Sequence, residues 1–204
     1  MIVIPESILK KLVDFSLKNV TFEYLEKIFK DVPSLGDYDF LQNAKAILLP
    51  KSTSSRKIES HLFFNRERCL LPTVHIGLPS EQLGLGNGLG FDPSDEDDNN
   101  FYTNYHTRSF SARYKIIFTS NNTFEVLIMY IFFRSVLIGN IHFLEMNGLQ
   151  NPKFSGGDIV LTDYMIPAEI YSRALFIDCN YDFTAPSLDS SDKIKDIKTE
   201  LKLL

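Results

Sequence analysis

The sequence is poor in the residues on which small stapled or metal-bound domains depend. Its 204 residues include two cysteines, four histidines and no tryptophan. Cys69 and Cys179 lie in apolar or strand-like segments, where a buried free thiol is the ordinary state. A disulfide between Cys69 and Cys179 is the alternative. A chain of this length buries roughly 70% of its unfolded surface, so its core needs no disulfide or metal. We expect one domain that folds under reducing conditions inside a cell.

Long apolar runs and concentrated positive charge are also lacking. The most apolar run, from Val126 to Ile138, contains Arg134 and is shorter than the roughly 20 residues that cross a bilayer. The N-terminus has neither the basic region nor the long apolar region of a signal peptide. A net charge of -5 gives no basic footprint for nucleic acid. We expect a soluble protein without a membrane partner.

The residues from 77 to 100 predict a long irregular loop, because glycines recur before a run of carboxylates. No lysine follows the glycines, and the carboxylates would repel a phosphate, which argues against a nucleotide cradle. Calcium is also disfavoured, because Asn100 and His106 replace the glycine and glutamate of a calcium loop. We interpret the segment as a solvated acidic loop.

Charge complementarity gives that loop a candidate role. Asp95, Asp97 and Asp98 could meet basic side chains on a neighbouring subunit. The alternating stretch before residue 120 places Arg113 and Lys115 on the polar face of a strand. We name these five residues as candidate interface positions.

The patterns that carry catalysis or metal binding are missing from the sequence. The histidines do not fall at metal-ligand spacings, and no paired cysteines accompany them. The run from Ser155 to Asp158 lacks the frame of a nucleophile elbow, and its glycines instead predict a tight turn before a strand over residues 158–162. We therefore assign no catalytic, cofactor-binding or metal-binding residue and expect a protein that is not an enzyme, with a small hydrolase as a remote alternative.

The strongest positive signal is a strand followed by a very apolar helix. Apolar residues alternate with polar ones from about residue 105 to 119, the pattern of a half-buried strand. Asn122 and Glu125 then have the spacing of an N-cap and its capping-box partner. The following helix is apolar nearly all round, so it must be covered by its own sheet and, we expect, by a neighbouring subunit.

Helical spacing also occurs at both ends of the chain. Residues 5–18 and 21–30 predict helices, with Phe15 on the apolar stripe of the first, and residues 35–50 favour a short third helix. Strands are expected in 61–76, broken at Pro72, and in 170–181. The fold class is α+β, a mostly antiparallel sheet packed by a central apolar helix and N-terminal helices.

We predict one domain over residues 1–186 and a C-terminal amphipathic arm over 187–204. In the arm, Ile194, Ile197 and Leu201 recur at helical spacing, and we name them as further candidate interface positions. The arm either packs on its own domain or docks into a groove on a partner. Both alternatives remain open at this stage.

Several segments in order resemble the tail-terminator and neck-completion proteins of tailed bacteriophages. The similarity covers about residues 60–186 and is carried by the order of elements together with these pieces: Phe64–Arg66, Pro72–Ile76, Tyr114–Asn122 leading into Glu125–Tyr130, Ser155–Asp158, Ile166–Pro167, Tyr171 to Ala174, and Tyr181–Pro186. The chain departs from that family in its acidic loop, its longer N-terminal helical region and its C-terminal arm.

The resemblance implies a tail-terminator-like fold and a virion structural protein that forms a six- or twelve-fold ring. Such a ring would lie at the head–tail junction or in the tail, assembled in the host cytoplasm, and would join the portal or adaptor to the tail. DNA would pass through its channel without specific binding, past an acidic lining. The alternative from the sequence is a non-viral adaptor module that binds other proteins.

Overall fold

The computed structural model describes residues 3–49, 57–62, 71–84, 95–96, 102–103, 105–159 and 170–186. Five helices and seven strands occur in these ranges. They are α1 (Pro5–Asn19), α2 (Phe22–Phe29), α3 (Phe40–Leu48), β1 (Glu59–Leu62), β2 (Thr73–Leu83), β3 (Asp95–Glu96), β4 (Tyr102–Thr103), β5 (Tyr105–Ser120), α4 (Thr123–Gly139), α5 (Ile141–Met146), β6 (Gln150–Asp158) and β7 (Tyr171–Pro186).

Five strands form one sheet in the order β1-β2-β5-β7-β6. The short β1 pairs with β2 in parallel, and the remaining pairs in this sheet are antiparallel. Strands β5 and β7 pair along their whole length, from Tyr105 opposite Pro186 to Ser120 opposite Tyr171. The prediction of an α+β fold with a mostly antiparallel sheet is confirmed.

Strand β5 shows why the alternating sequence pattern was informative. Tyr114, Ile116 and Phe118 are fully buried on the face where Phe118 stacks on Phe133 of α4, with ring centroids 5.3 Å apart. The opposite face is exposed at Arg113. Towards the end of the strand this second face is buried too, as Ile117 and Thr119 show.

The cap at the start of α4 includes Ser120 in addition to the predicted pair Asn122 and Glu125. The Asn122 side chain accepts a hydrogen bond from the Phe124 amide at 2.9 Å, so the predicted N-cap is confirmed. Ser120 lies between the two predicted partners of the capping box. Its hydroxyl donates to Glu125 and accepts a hydrogen bond from the Asn122 amide at 3.2 Å.

The N-terminal helices cover the side of α4 that faces away from the sheet. Tyr38, just before α3, stacks on Phe124 with ring centroids 4.2 Å apart, and Tyr24 of α2 meets Phe132 edge-on at 6.2 Å. Helices α2 and α3 thus supply cover for α4 within one chain, and the expected contact of α4 with a neighbouring subunit stays a prediction. Local caps at Thr21 and Asp39 start these two helices.

The structure differs from the sequence prediction at the start of the loop 77–100 and at the turn 155–158, because both segments lie in strands. Residues 77–83 continue β2, across an irregularity between Gly77 and Ser80, so the sequence placed the end of this strand too early. Ser155–Asp158 lies inside β6 and forms no turn, and Gly156 makes room there for the Tyr130 side chain of α4. A Cβ on Gly156 would overlap the Tyr130 hydroxyl oxygen. Most of residues 84–100, residues 160–162 and the arm fall outside the described ranges.

Candidate interaction surfaces

A charged row crosses the sheet face opposite the helices. The Arg113 Nε and Nη2 atoms donate hydrogen bonds of 2.6 and 3.0 Å to the two carboxylate oxygens of Asp178. Lys153 of β6 stands opposite Asp178 in the next register pair. The hydrogen bonds from Arg113 to Asp178 raise the pKa of the Arg113 guanidinium, which stays charged. We call Arg113, Asp178 and Lys153 the charged row.

The charged row is open to solvent, and the described helices lie on the other side of the sheet. The Arg113 and Asp178 side chains are 52% and 39% exposed. Phe176 lies two residues before Asp178 on β7, and the centre of its ring is 5.7 Å from the Arg113 guanidinium carbon. Lys115, predicted with Arg113 as an interface residue, stands opposite Phe176 on the same face. The structure thus brings the two predicted basic residues together.

The remaining predicted interface residues are not brought to this face by the described structure. Asp95 lies in the short strand β3, opposite Thr103 of β4, in a two-stranded sheet separate from the large one. The others lie outside the described residues; they are Asp97, Asp98, Ile194, Ile197 and Leu201. Their predicted roles remain predictions.

An apolar groove opens on the helix side of the molecule, between α1 and the corner that joins α4 to α5. We call it the α1–α5 groove. Its volume is about 550 Å³, and it is lined by Lys11, Leu12, Asp14, Phe15, Lys18, Asn140 and Phe143. Phe15 is 64% exposed there and Phe143 is 39% exposed. Two large aromatic side chains at the mouth of one concavity are typical of a surface that binds a partner.

A smaller hollow extends the groove along α1. It has a volume of about 180 Å³, shares Phe15 and Asn140 with the groove, and continues past Asn19 to Val20. The sequence prediction that Phe15 belongs to the buried stripe of α1 is wrong. The buried stripe is Leu9, Leu12 and Val13, and Phe15 lies about 200° around the helix from Val13 at 100° per residue. Phe15 also follows Leu12 at i+3, a spacing that fits the buried stripe, so the local pattern contains no signal for the groove.

Two histidines that are 14 residues apart in sequence meet on the sheet face opposite the helices, where His75 is buried. His61 of β1 and His75 of β2 are register partners, and their rings stack with centroids 5.6 Å apart. The Thr73 hydroxyl lies 3.0 Å from the His75 Nε2 atom. Within the described ranges no three histidine, cysteine or acidic side chains cluster closely enough to hold a metal ion. We interpret the pair as part of the β1–β2 contact.

A tyrosine cluster lies on the helix face of the sheet. The Tyr181 hydroxyl donates a hydrogen bond to the Glu81 carboxylate, and burial, reinforced by that bond, raises the pKa of Tyr181. Burial also raises the pKa of Tyr114 and raises the pKa of the Cys179 thiol to about 12. A thiol that stays protonated is a poor nucleophile. This cluster supports the core rather than chemistry.

No protein-family model and no curated protein matches the chain. Among the described residues no helix combines the length and the apolar character needed to cross a membrane. The described residues define an α+β fold with a five-stranded sheet, helices on one side of that sheet, and two surfaces of different chemistry.

Proposed function

We propose that the chain is a virion structural protein that forms an oligomeric ring in the neck or tail of a tailed phage and joins the portal or adaptor to the tail. The fold would then be of the tail-terminator type. The observation that carries the proposal is the pair of unlike surfaces on opposite sides of the sheet. One is the charged row around Arg113, and the other is the apolar α1–α5 groove.

Unlike surfaces suit a ring because ring closure needs heterologous contacts, in which one face of a subunit meets a different face of the next. An isologous dimer would instead use one patch twice. Each contact in a stable assembly covers about 800 Å² per partner, with aromatic and arginine side chains enriched at its centre. Phe15, Phe143 and Arg113 are side chains of this kind.

The sequence resemblance supplies the phage assignment, since it covers the same β2, β5, α4, β6 and β7 elements that form the sheet and its central helix. The α1–α5 groove would also suit an adaptor module that binds other proteins without forming a ring. The two proposals differ in what the protein assembles with, so imaging and mass measurement separate them.

The decisive experiment is cryo-electron microscopy with mass photometry on the purified full chain, alone and mixed with particles of the tailed phage that encodes it. Rings of a defined subunit number, or new density at the head–tail junction or along the tail, are the expected results. A chain that stays monomeric at every concentration and adds no density to the particles would overturn the ring proposal. A monomer that captures one cellular protein would favour the adaptor.

A further inference from the structure

The α1–α5 groove and its extension follow α1 from Lys11 to Val20. At 1.5 Å per residue this track is about 13 Å long, enough for two turns of a second helix. The aromatic side chains Phe15 and Phe143 stand on it, and the polar group that both hollows share is Asn140. Its length, apolar centre and polar rim match those of a short amphipathic helix.

Residues 192–204 have the matching pattern. Ile194, Ile197 and Leu201 follow the spacing i, i+3 and i+7, which in a helix gives an apolar stripe about 10 Å long. Helix-in-groove contacts are recognised by anchors at this spacing. The stripe is thus slightly shorter than the track along α1 and fits within it.

The charges beside the stripe complement those beside the groove. Lys11 and Lys18 are two turns apart on α1, so they point to the same side, while Asp14 on that wall is engaged by Lys10 at 2.9 Å and by the Ser60 hydroxyl. In the segment, Asp192, Asp196 and Glu200 recur at every fourth residue, which in a helix forms one acidic line. Pairing of these lines would fix the orientation of the segment more than its affinity.

We propose that residues 192–204 of one copy of the chain bind as a helix in the α1–α5 groove of a second copy. This rests on the proposed ring, because an arm that enters a groove on the next subunit is a heterologous contact that repeats around a circle.

The position of β7 favours a second copy over the same chain. Asn180 lies opposite Gln150, which follows α5 by a short turn. Pro186 is six strand residues further on, about 20 Å at 3.3 Å per residue. The five residues 187–191 span at most about 17 Å when fully extended. The linker 187–191 is therefore shorter than the path back along β7 to the groove of the same chain, which favours a groove on a neighbouring copy.

Cysteine cross-linking of full-length chains tests the contact directly. In a Cys69→Ser background, one chain carries Phe143→Cys and the other carries Leu201→Cys, and the mixture is treated with a short bifunctional maleimide. The expected product is a covalent dimer that forms only in the mixture. Leu83→Cys, at a position 69% exposed in β2, replaces Phe143→Cys as the matched control and should give no dimer.

Two results would overturn the proposal. One is the absence of a Phe143–Leu201 cross-link at a concentration where the chain is assembled or at the highest soluble concentration. The other is a chain carrying both cysteines that cross-links only within itself, which would place the arm in its own groove. Rings without the cross-link would remove this contact alone, whereas the cross-link in a protein that ignores phage particles would remove the phage assignment alone.

Charge reversal supplies a second, independent measurement by mass photometry. Lys11→Glu with Lys18→Glu, and separately Asp196→Lys with Glu200→Lys, should each raise the concentration needed for assembly by about tenfold. An equal mixture of the two variants should regain assembly, since each reversed groove then meets a reversed arm. Recovery only when all four changes are in one chain would show that the arm binds within its own chain.

Discussion

Gly156 and Gly157 are neighbours in β6 with very different surroundings. A Cβ on Gly156 would lie 2.7 Å from the ring of Tyr130, whereas nothing lies within 4 Å of one on Gly157. Gly156→Ala should lower the free energy of unfolding by about 1–3 kcal/mol, since the Tyr130 ring must shift. Gly157→Ala is the matched control and should change it by less than about 0.5 kcal/mol. Urea unfolding of both variants measures this, and equal losses would contradict the close approach.

The buried Cys179 thiol makes a second prediction, about alkaline pH. Its pKa is raised by burial to about 12, whereas a thiol in an unfolded chain ionises near 8.5. Between these values the native state holds a proton that the unfolded state has lost, so stability falls as the pH rises. The slope is about 1.4 kcal/mol per pH unit for this group.

Thermal or urea unfolding from pH 8 to 10 in a Cys69→Ser background checks this slope. Replacement of Cys179 by alanine should flatten the curve in that interval, although it lowers stability at pH 8 because a buried group is lost. The tyrosines of the same cluster should steepen the fall above about pH 10, their ordinary pKa. Parallel curves for the two proteins would show that Cys179 is not held protonated by the fold.

At the scale of single elements, the start of α4 depends on the Asn122 cap. Removal of the side-chain acceptor in Asn122→Ala should cost about 1 kcal/mol, because the Phe124 amide loses its partner. Thr123→Ala changes an exposed residue one position later and serves as the control. Chemical unfolding should rank the wild type and Thr123→Ala together, above Asn122→Ala. The opposite order would place the functional cap elsewhere.

The elements that the sequence predicts well are those whose pattern is long and continuous. Strand β5 follows its alternation up to Ile116, and α1 begins at Pro5 and ends one residue beyond the predicted limit. Strand β6 was not predictable in the same way. Its glycines have the sequence appearance of a turn, and only the distant Tyr130 explains why a strand contains them.

The candidate surfaces were predictable in part. Arg113 and Lys115 share a face because a strand alternates with period two, which is a local rule. Their partner Asp178 comes from β7, and its identity depends on a register that no local pattern contains. The α1–α5 groove depends on how two helices distant in sequence meet, so Phe15 was assigned to the core although it is exposed.

At the scale of the whole molecule, the sheet separates two surfaces with different chemistry. The helix layer buries the core on one side and carries the apolar groove on its outer surface, while the charged row remains open on the other side. A chain built this way can be stable alone and still offer a different face to each of two neighbours. Stability and assembly should therefore respond to different mutations.

Two solvent-accessible arginine–carboxylate pairs among the described residues allow that separation to be tested. Arg113 binds Asp178 on the open face, with 2.6 Å between the Nε and Oδ1 atoms. Arg173 binds Asp158 at the same distance. The Arg173 guanidinium carbon also lies 5.1 Å from the centre of the Tyr130 ring, on the helix face. Exposed ion pairs contribute little to folding, so Arg113→Gln should leave the unfolding midpoint near that of the wild type. If the charged row is an interface, however, the same change should raise the concentration at which rings form, as measured by mass photometry. Arg173→Gln, the control, should leave assembly unchanged, and an identical effect of both variants on assembly would exclude the charged row as a contact.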